Sequence, residues 1–129
     1  MNTEEVALCE LEGQLRIRGY NVARTRRNSP LGDLHARKGG KVVRFEVKGL
    51  DRRNGIWLKP RQVAAVDVVV VYIAREQNVW VLTSAEAKAL VDHYHADFVL
   101  RNGRPPKGPG WNASQFPPPT GWGPLDQLA

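Results

Sequence analysis

Glu46 and Lys48 stand two positions apart in a stretch, residues 42–48, whose apolar and polar residues alternate. On an extended strand, side chains two apart leave from the same side, so this carboxylate and this ammonium share one face. Val43, Phe45 and Val47 take the other face, which reads as the side that packs into a core. Asp33 opens an earlier extended stretch, residues 33–37, and Lys38-Gly39-Gly40-Lys41 lies between the two. Paired glycines supply the positive φ of a tight hairpin, so the two stretches should run side by side. Two carboxylates from neighbouring strands can then converge on one hard cation. Magnesium takes oxygen ligands and keeps several waters, so Asp33, Glu46, a backbone carbonyl such as that of Val47 and a substrate phosphate would suffice. Such an ion acidifies water and polarises a phosphoryl oxygen, with Lys48 placed to orient the water or offset charge at phosphorus. Glu-x-Lys alone is commonplace surface charge and Asp33 alone a turn-flanking acid. Together, on a glycine hairpin, they point to phosphodiester hydrolysis.

The elements that must hold these residues follow from pattern. Residues 3–18 carry Val6, Leu8, Leu11 and Leu15 near helical spacing. Thr3 is the expected N-cap and Gly19 the stop. Residues 20–24 read as a short strand, and Ser29-Pro30-Leu31-Gly32 matches a type I turn. After the hairpin, residues 49–58 form a loop containing Trp57, and residues 60–65 a short helix with proline in its first turn. Residues 67–74 are a near-continuous β-branched run, as in a strand buried on both faces. Residues 79–82 pair back, and Thr83 with Glu86 is a capping box that opens a helix to about residue 95. The order α-β-β-β-(α)-β-β-α predicts an α/β fold with a mixed central sheet flanked by helices. Residues 1–100 form the expected core domain. Residues 101–129 hold seven of the nine prolines and read as a tail that is docked by its aromatics or partly flexible.

Charge supports a polyanionic partner. The net charge is +6 over 129 residues. Residues 16–61 hold fourteen Lys and Arg against Asp33, Glu46 and Asp51, whereas residues 62–129 hold five against six acids. A basic half of this kind suits DNA or RNA, although a solvated basic face has the same composition. Cys9 is the single cysteine, which excludes an internal disulfide and a cysteine-based zinc site. That pattern, together with Glu4 and Glu5 where a signal peptide carries bases, leads to the expectation of a cytoplasmic protein without a membrane segment.

The run Pro30-Leu31-Gly32-Asp33 followed by Phe45-Glu46-Val47-Lys48-Gly49 resembles the PD-(D/E)xK, or restriction endonuclease-like, nuclease superfamily. Arg18-Gly19-Tyr20-Asn21-Val22-Ala23-Arg24 is similar to the lead-in of its archaeal Holliday-junction resolvases. The later stretch is closer to small restriction-like proteins of bacteria. The likeness runs in order over about residues 3–95. It implies an αβββαβ core, Mg2+ dependence with Mn2+ as a substitute, and homodimers acting on duplex DNA. It further implies catalytic roles for Asp33, Glu46 and Lys48, with Asp33, Glu46 and the Val47 carbonyl as metal ligands. Gly32 stands where the pattern has proline. A helix-one glutamate often joins the metal site in this superfamily, and Glu5 is the preferred one here, with Glu4 and Glu12 as neighbours on the same helix; dipole compensation explains any one of them as well. Gln62 falls where related nucleases place a supporting polar residue.

Arg24, Arg26, Arg27, Arg52, Arg53, Lys59 and Arg61 flank the expected site and are the phosphate-contact residues it would use. His35 reads as a strand-surface histidine. His93 and His95, two apart on a helix, point away from one another and cannot share a metal. Trp57 is expected to pack rather than to wedge against a base. The leading expectation is a metal-dependent endonuclease for restriction, repair or junction processing, with a dimer, a methyltransferase or a targeting subunit supplying any sequence specificity. The alternatives are a non-catalytic DNA- or partner-binding module and an RNA-directed nuclease or toxin.

Overall fold

The first helix shows why the chain folds as its pattern says. In the computed structural model, which describes residues 2–26, 29 and 31–128, α1 spans Thr3–Ile17 and buries Ala7, Leu11 and Leu15 completely. These three lie four apart, on one face of the helix. Each buried leucine contributes about 1.5–3 kcal/mol by leaving water, so this stripe decides which way the helix faces. The cap differs from expectation: the Asn2 side chain, not that of Thr3, accepts from the Glu5 N–H at 2.7 Å. Thr3 is already helical and uses its hydroxyl elsewhere, donating to the Gly49 carbonyl at 3.0 Å. Gly19 follows with φ +88°, the left-handed conformation that ends the helix.

β1 (Asn21–Arg24), β2 (Leu34–Lys38) and β3 (Lys41–Leu50) come next. Gly39 and Gly40, at φ +56° and +80°, make the two-residue hairpin between β2 and β3. β4 (Ile56–Trp57), α2 (Pro60–Ala64), β5 (Val68–Ile73), β6 (Asn78–Thr83) and α3 (Ser84–Asn102) complete the order. The sheet runs β1-β2-β3-β5-β6, with β3 and β5 parallel and the other neighbours antiparallel. It is a five-stranded mixed sheet flanked by helices, the α/β architecture that the sequence predicts.

β5 is buried at all six positions, because both of its faces are covered. Val68, Val70 and Tyr72 join Val43, Phe45 and Val47 under α1. Val69, Val71 and Ile73 face the other way, with Trp80 and Leu82 of β6 packing against Leu58, Val63 and Ala87. The alternation expected of β3 is therefore present, with Val43, Phe45 and Val47 toward α1.

Two features lie outside what the pattern gives. β7 (Gly110–Trp111) pairs antiparallel with β4, so the expected loop at 49–58 contains half of a two-stranded ribbon. α3 continues past residue 95 to Asn102, since no breaker intervenes before Gly103 at φ +69° and Arg101 pairs with Asp97 one turn back at 2.6 Å. After Gly103 the chain returns over β6: the Trp80 indole donates to the Pro117 carbonyl at 2.7 Å, and Thr120 Oγ1 accepts from the Val81 N–H at 2.8 Å. Pro30 of the expected turn lies outside the described residues. No described helix is long and apolar enough to cross a membrane.

Candidate active site

Glycine seats the first acid. Gly32 is buried at φ +92°, and a Cβ there would stand 2.7 Å from both the Phe45 carbonyl oxygen and Val66. That close approach explains glycine at this position and lets Asp33 enter β2 in register. The Asp33 N–H donates to the Phe45 carbonyl at 2.8 Å. The next pair in the ladder is Leu34 with Phe45, so Asp33 faces Glu46 across the two strands. Both side chains emerge on the side opposite Leu34 and Phe45, as cross-strand partners must. One oxygen of Asp33 accepts from the Val47 N–H at 2.7 Å, which fixes the carboxylate against β3.

Glu46 is the one buried charged residue among those described, at 6% exposure. Its parallel partner on β5 is Val69, which is fully buried, so the carboxyl sits against an apolar wall. Burial, followed by the negative charge of Asp33, pushes its pKa up to about 7, and Lys48 opposes the shift. The Asp33 carboxyl also lies within hydrogen-bonding reach of that of Glu46. Near neutral pH Glu46 is therefore poised between its protonated and ionised forms. Lys48 Nζ stands 3.7 Å from the Glu46 carboxylate, half-buried.

These three residues line a cleft of about 1020 Å³ whose rim carries Arg26, Lys59 and Arg61. Gln62 lines it too; its side-chain oxygen accepts from the Lys59 N–H at 2.8 Å and caps α2. The structure thus brings Asp33, Glu46, Lys48, Gln62 and four of the expected phosphate contacts, Arg24, Arg26, Lys59 and Arg61, to one cavity.

Other expected residues are placed differently. Glu5 lines the cleft, but Arg24 Nη1 donates to both of its oxygens at 2.8 Å. That contact holds the Glu5 carboxyl below its ordinary range. Arg24 also reaches Glu12 at 2.6 Å, and the Glu12 and Glu5 hydrogen bonds raise its own pKa. Glu5 and Arg24 therefore pair with each other at the wall of the cleft. Among the helix-one acids it is Glu4, another cleft residue, whose charge reaches Glu46. Arg53 is engaged away from the cleft: it pairs with Glu76 at 2.9 Å and lies 5.0 Å over the Trp80 ring. Arg52 stands 3.9 Å from Asp51, also outside the cleft lining. Arg27 lies outside the described residues. His35 hydrogen-bonds the Leu31 carbonyl at 3.1 Å. Trp57, expected to pack, is 63% exposed.

Among the described residues no group of three or more His, Cys, Asp or Glu side chains is placed to hold a metal ion. The donor set is two carboxylates and backbone. In an extended strand the N–H and C=O of one residue point to the same edge. The Val47 N–H points at Asp33, so its carbonyl belongs to that edge too. Two carboxylates with a carbonyl suit a hard cation that keeps most of its waters.

The chain matches no protein-family model and no curated protein. Among solved structures it is similar to a bacterial homing endonuclease, I-Ssp6803I, at 15% identity and a TM-score of 0.49, with 64% of each chain covered, so it spans less than two thirds of that protein's length.

Proposed function

We propose that this chain is a metal-dependent nuclease of the PD-(D/E)xK type that hydrolyses phosphodiester bonds in DNA. The observation that carries the reading is the facing pair Asp33 and Glu46 with Lys48 beside them, in a cleft rimmed by cations. Asp33, Glu46 and the Val47 carbonyl would hold Mg2+, or Mn2+ in its place. When bound, such an ion supplies Lewis acidity to the scissile phosphate and lowers the pKa of water.

The chain's own residues do the rest. Arg26, Lys59 and Arg61 draw the DNA backbone onto the rim without reading sequence. The Val47 N–H fixes Asp33, so that carboxylate costs no reorganisation when substrate arrives. Glu46, with its pKa near neutrality, can give up or take a proton at its carboxyl as the site fills. Lys48 brings a positive charge to the same point, where negative charge grows during attack on phosphorus. Glu4 is the helix-one acid best placed to add to the negative field.

The test is cleavage of supercoiled plasmid and branched DNA with Mg2+ or Mn2+, comparing wild type with Asp33→Asn, Glu46→Gln and Lys48→Ala. Each variant should lose at least about a hundredfold in rate, the scale of one lost electrostatic or acid-base partner. Cleavage retained by all three variants overturns the assignment. Calorimetry separates the binding-module reading: a wild type that binds DNA but neither cation is a module rather than an enzyme.

A further inference from the structure

Trp57 is exposed in a way that the fold does not require. Trp80 and Trp111 are buried at 1% and 2% exposure, and Trp122 stacks on Tyr72 with ring centroids 6.4 Å apart. Trp57 instead leaves 63% of its surface in water. It is nevertheless held from behind. β4 pairs with β7, matching Trp57 with Gly110, and the indole edge lies on Gly108, where an added Cβ would stand 1.9 Å from a ring carbon. Only the absent side chain at Gly108 lets the ring lie there.

Burial alternates through this segment: Ile56 in, Trp57 out, Leu58 in, Lys59 out. Lys59 is still extended, at φ −72° and ψ 144°, so Trp57 and Lys59 project from one side. Pro60 then opens α2, and Arg61 with Lys59 lines the cleft that holds Asp33 and Glu46. On the side of Gly108, the surface continues into a mostly apolar groove of about 420 Å³ walled by Pro60, Tyr94, His95 and Pro109.

An indole on a strip of cations matches a nucleic-acid strand, with phosphates on the cations and a base on the ring. A base inside a duplex has both faces covered by its neighbours. The ring can therefore stack only on a base that is unpaired or lies at a break in the helix. We propose that Trp57, Lys59 and Arg61 form a subsite for unpaired DNA nucleotides, so that the substrate carries a single-stranded segment beside the scissile phosphate. The second half of this statement rests on the nuclease reading; the first does not.

The experiment is a fluorescence titration of the full chain, in EDTA so that nothing is cut, with oligothymidylate and with a blunt duplex of equal length. Stacking should quench the exposed indole, and the single strand should bind more tightly than the duplex. Trp57→Ala should lose the quench and weaken single-strand binding by about five- to a hundredfold. Gly108→Ala, which keeps the tryptophan but displaces its ring, should reduce both. Lys59→Ala with Arg61→Ala should keep the quench at saturation and flatten the salt dependence. The proposal is overturned if Trp57→Ala binds oligothymidylate as tightly as wild type with an unchanged melting temperature, or if single strand and duplex bind and quench alike. Cleavage by wild type and Glu46→Gln separates the two readings. Blunt-duplex cleavage that Trp57→Ala leaves intact keeps the nuclease and removes this subsite. Quenching without cleavage of any DNA keeps the subsite and removes the nuclease.

Discussion

Neutralising Glu46 should change how stability depends on pH. The residue is 6% exposed, and its carboxyl faces Asp33 and has its pKa pushed up from 4.5 to about 7. A raised carboxyl pKa means that the folded chain binds the proton more tightly than the unfolded chain. The associated stability is fully present below pH 4.5, where both states are protonated, and is lost as pH rises through about 7. Between those limits the unfolded chain ionises while the native one keeps its proton. At about 1.4 kcal/mol per pKa unit, the wild type should lose about 3 kcal/mol across this window. For a domain of this size that corresponds to a melting temperature lower by on the order of 10 °C.

Glu46→Gln keeps the shape and removes the titration, so its stability relative to wild type should rise by about 3 kcal/mol between pH 4.5 and pH 8. Guanidinium denaturation at a series of pH values, followed by tryptophan fluorescence, reads this directly. Mg2+ should restore stability to the wild type at pH 8 and do nothing for the glutamine variant. Parallel pH profiles for the two proteins would refute the reasoning, because Glu46 would then titrate like a surface acid.

Three further outcomes follow from contacts around the cleft and the tail. Gly49→Ala would set a Cβ 2.2 Å from the Thr3 carbonyl oxygen and 2.8 Å from the Glu4 Cα; backbone cannot yield as a side chain can, so denaturation should show a loss of about 3 kcal/mol or more, with α1 pushed from β3. Thr120→Val removes the acceptor of the Val81 N–H on the edge strand β6, which should cost about 1–3 kcal/mol and increase aggregation on heating, measured by light scattering. Arg53→Ala loses both the Glu76 pair and the stack on Trp80 and Phe116, a loss of about 1 kcal/mol that near-UV circular dichroism of the tryptophans should register.

Much of the site could be read from the sequence because it depends on local rules. The Gly39-Gly40 hairpin fixes the register, and the alternation of Val43, Phe45 and Val47 fixes the face, so Asp33 and Glu46 had to meet. The apolar run at Val68–Ile73 likewise has only one comfortable place, in the covered middle of the sheet. What escaped depends on contacts between distant parts of the chain. In sequence Glu5 reads as a metal-site candidate with Glu12 beside it and Arg24 as a phosphate contact, and only the packing of α1 beside β1 makes them a triad of ion pairs. The β4–β7 ribbon is two residues wide on each side, too short for any periodicity, and its strands are joined only in three dimensions. Packing is the expectation for Trp57, yet its ring rests on Gly108 with most of its surface in water, an arrangement beside the β4–β7 pairing that no local pattern encodes.

Glu46, which lines the cleft, and Trp57, two residues before cleft-lining Lys59, both depart from consistent folding. β3 supports the core at Val43, Phe45 and Val47, yet it carries a carboxyl at Glu46, opposite fully buried Val69. β4 buries Ile56 and exposes Trp57. An apolar residue of similar size at Glu46 would remove a buried charge and its repulsion with Asp33, and a polar residue at Trp57 would remove an exposed ring. Natural sequences break such local rules mainly where function requires it. Glu46 lines the cleft with Lys48, Lys59 and Arg61, and Trp57 projects from the same side of its strand as Lys59, the placement that the proposed site for an anionic strand would use.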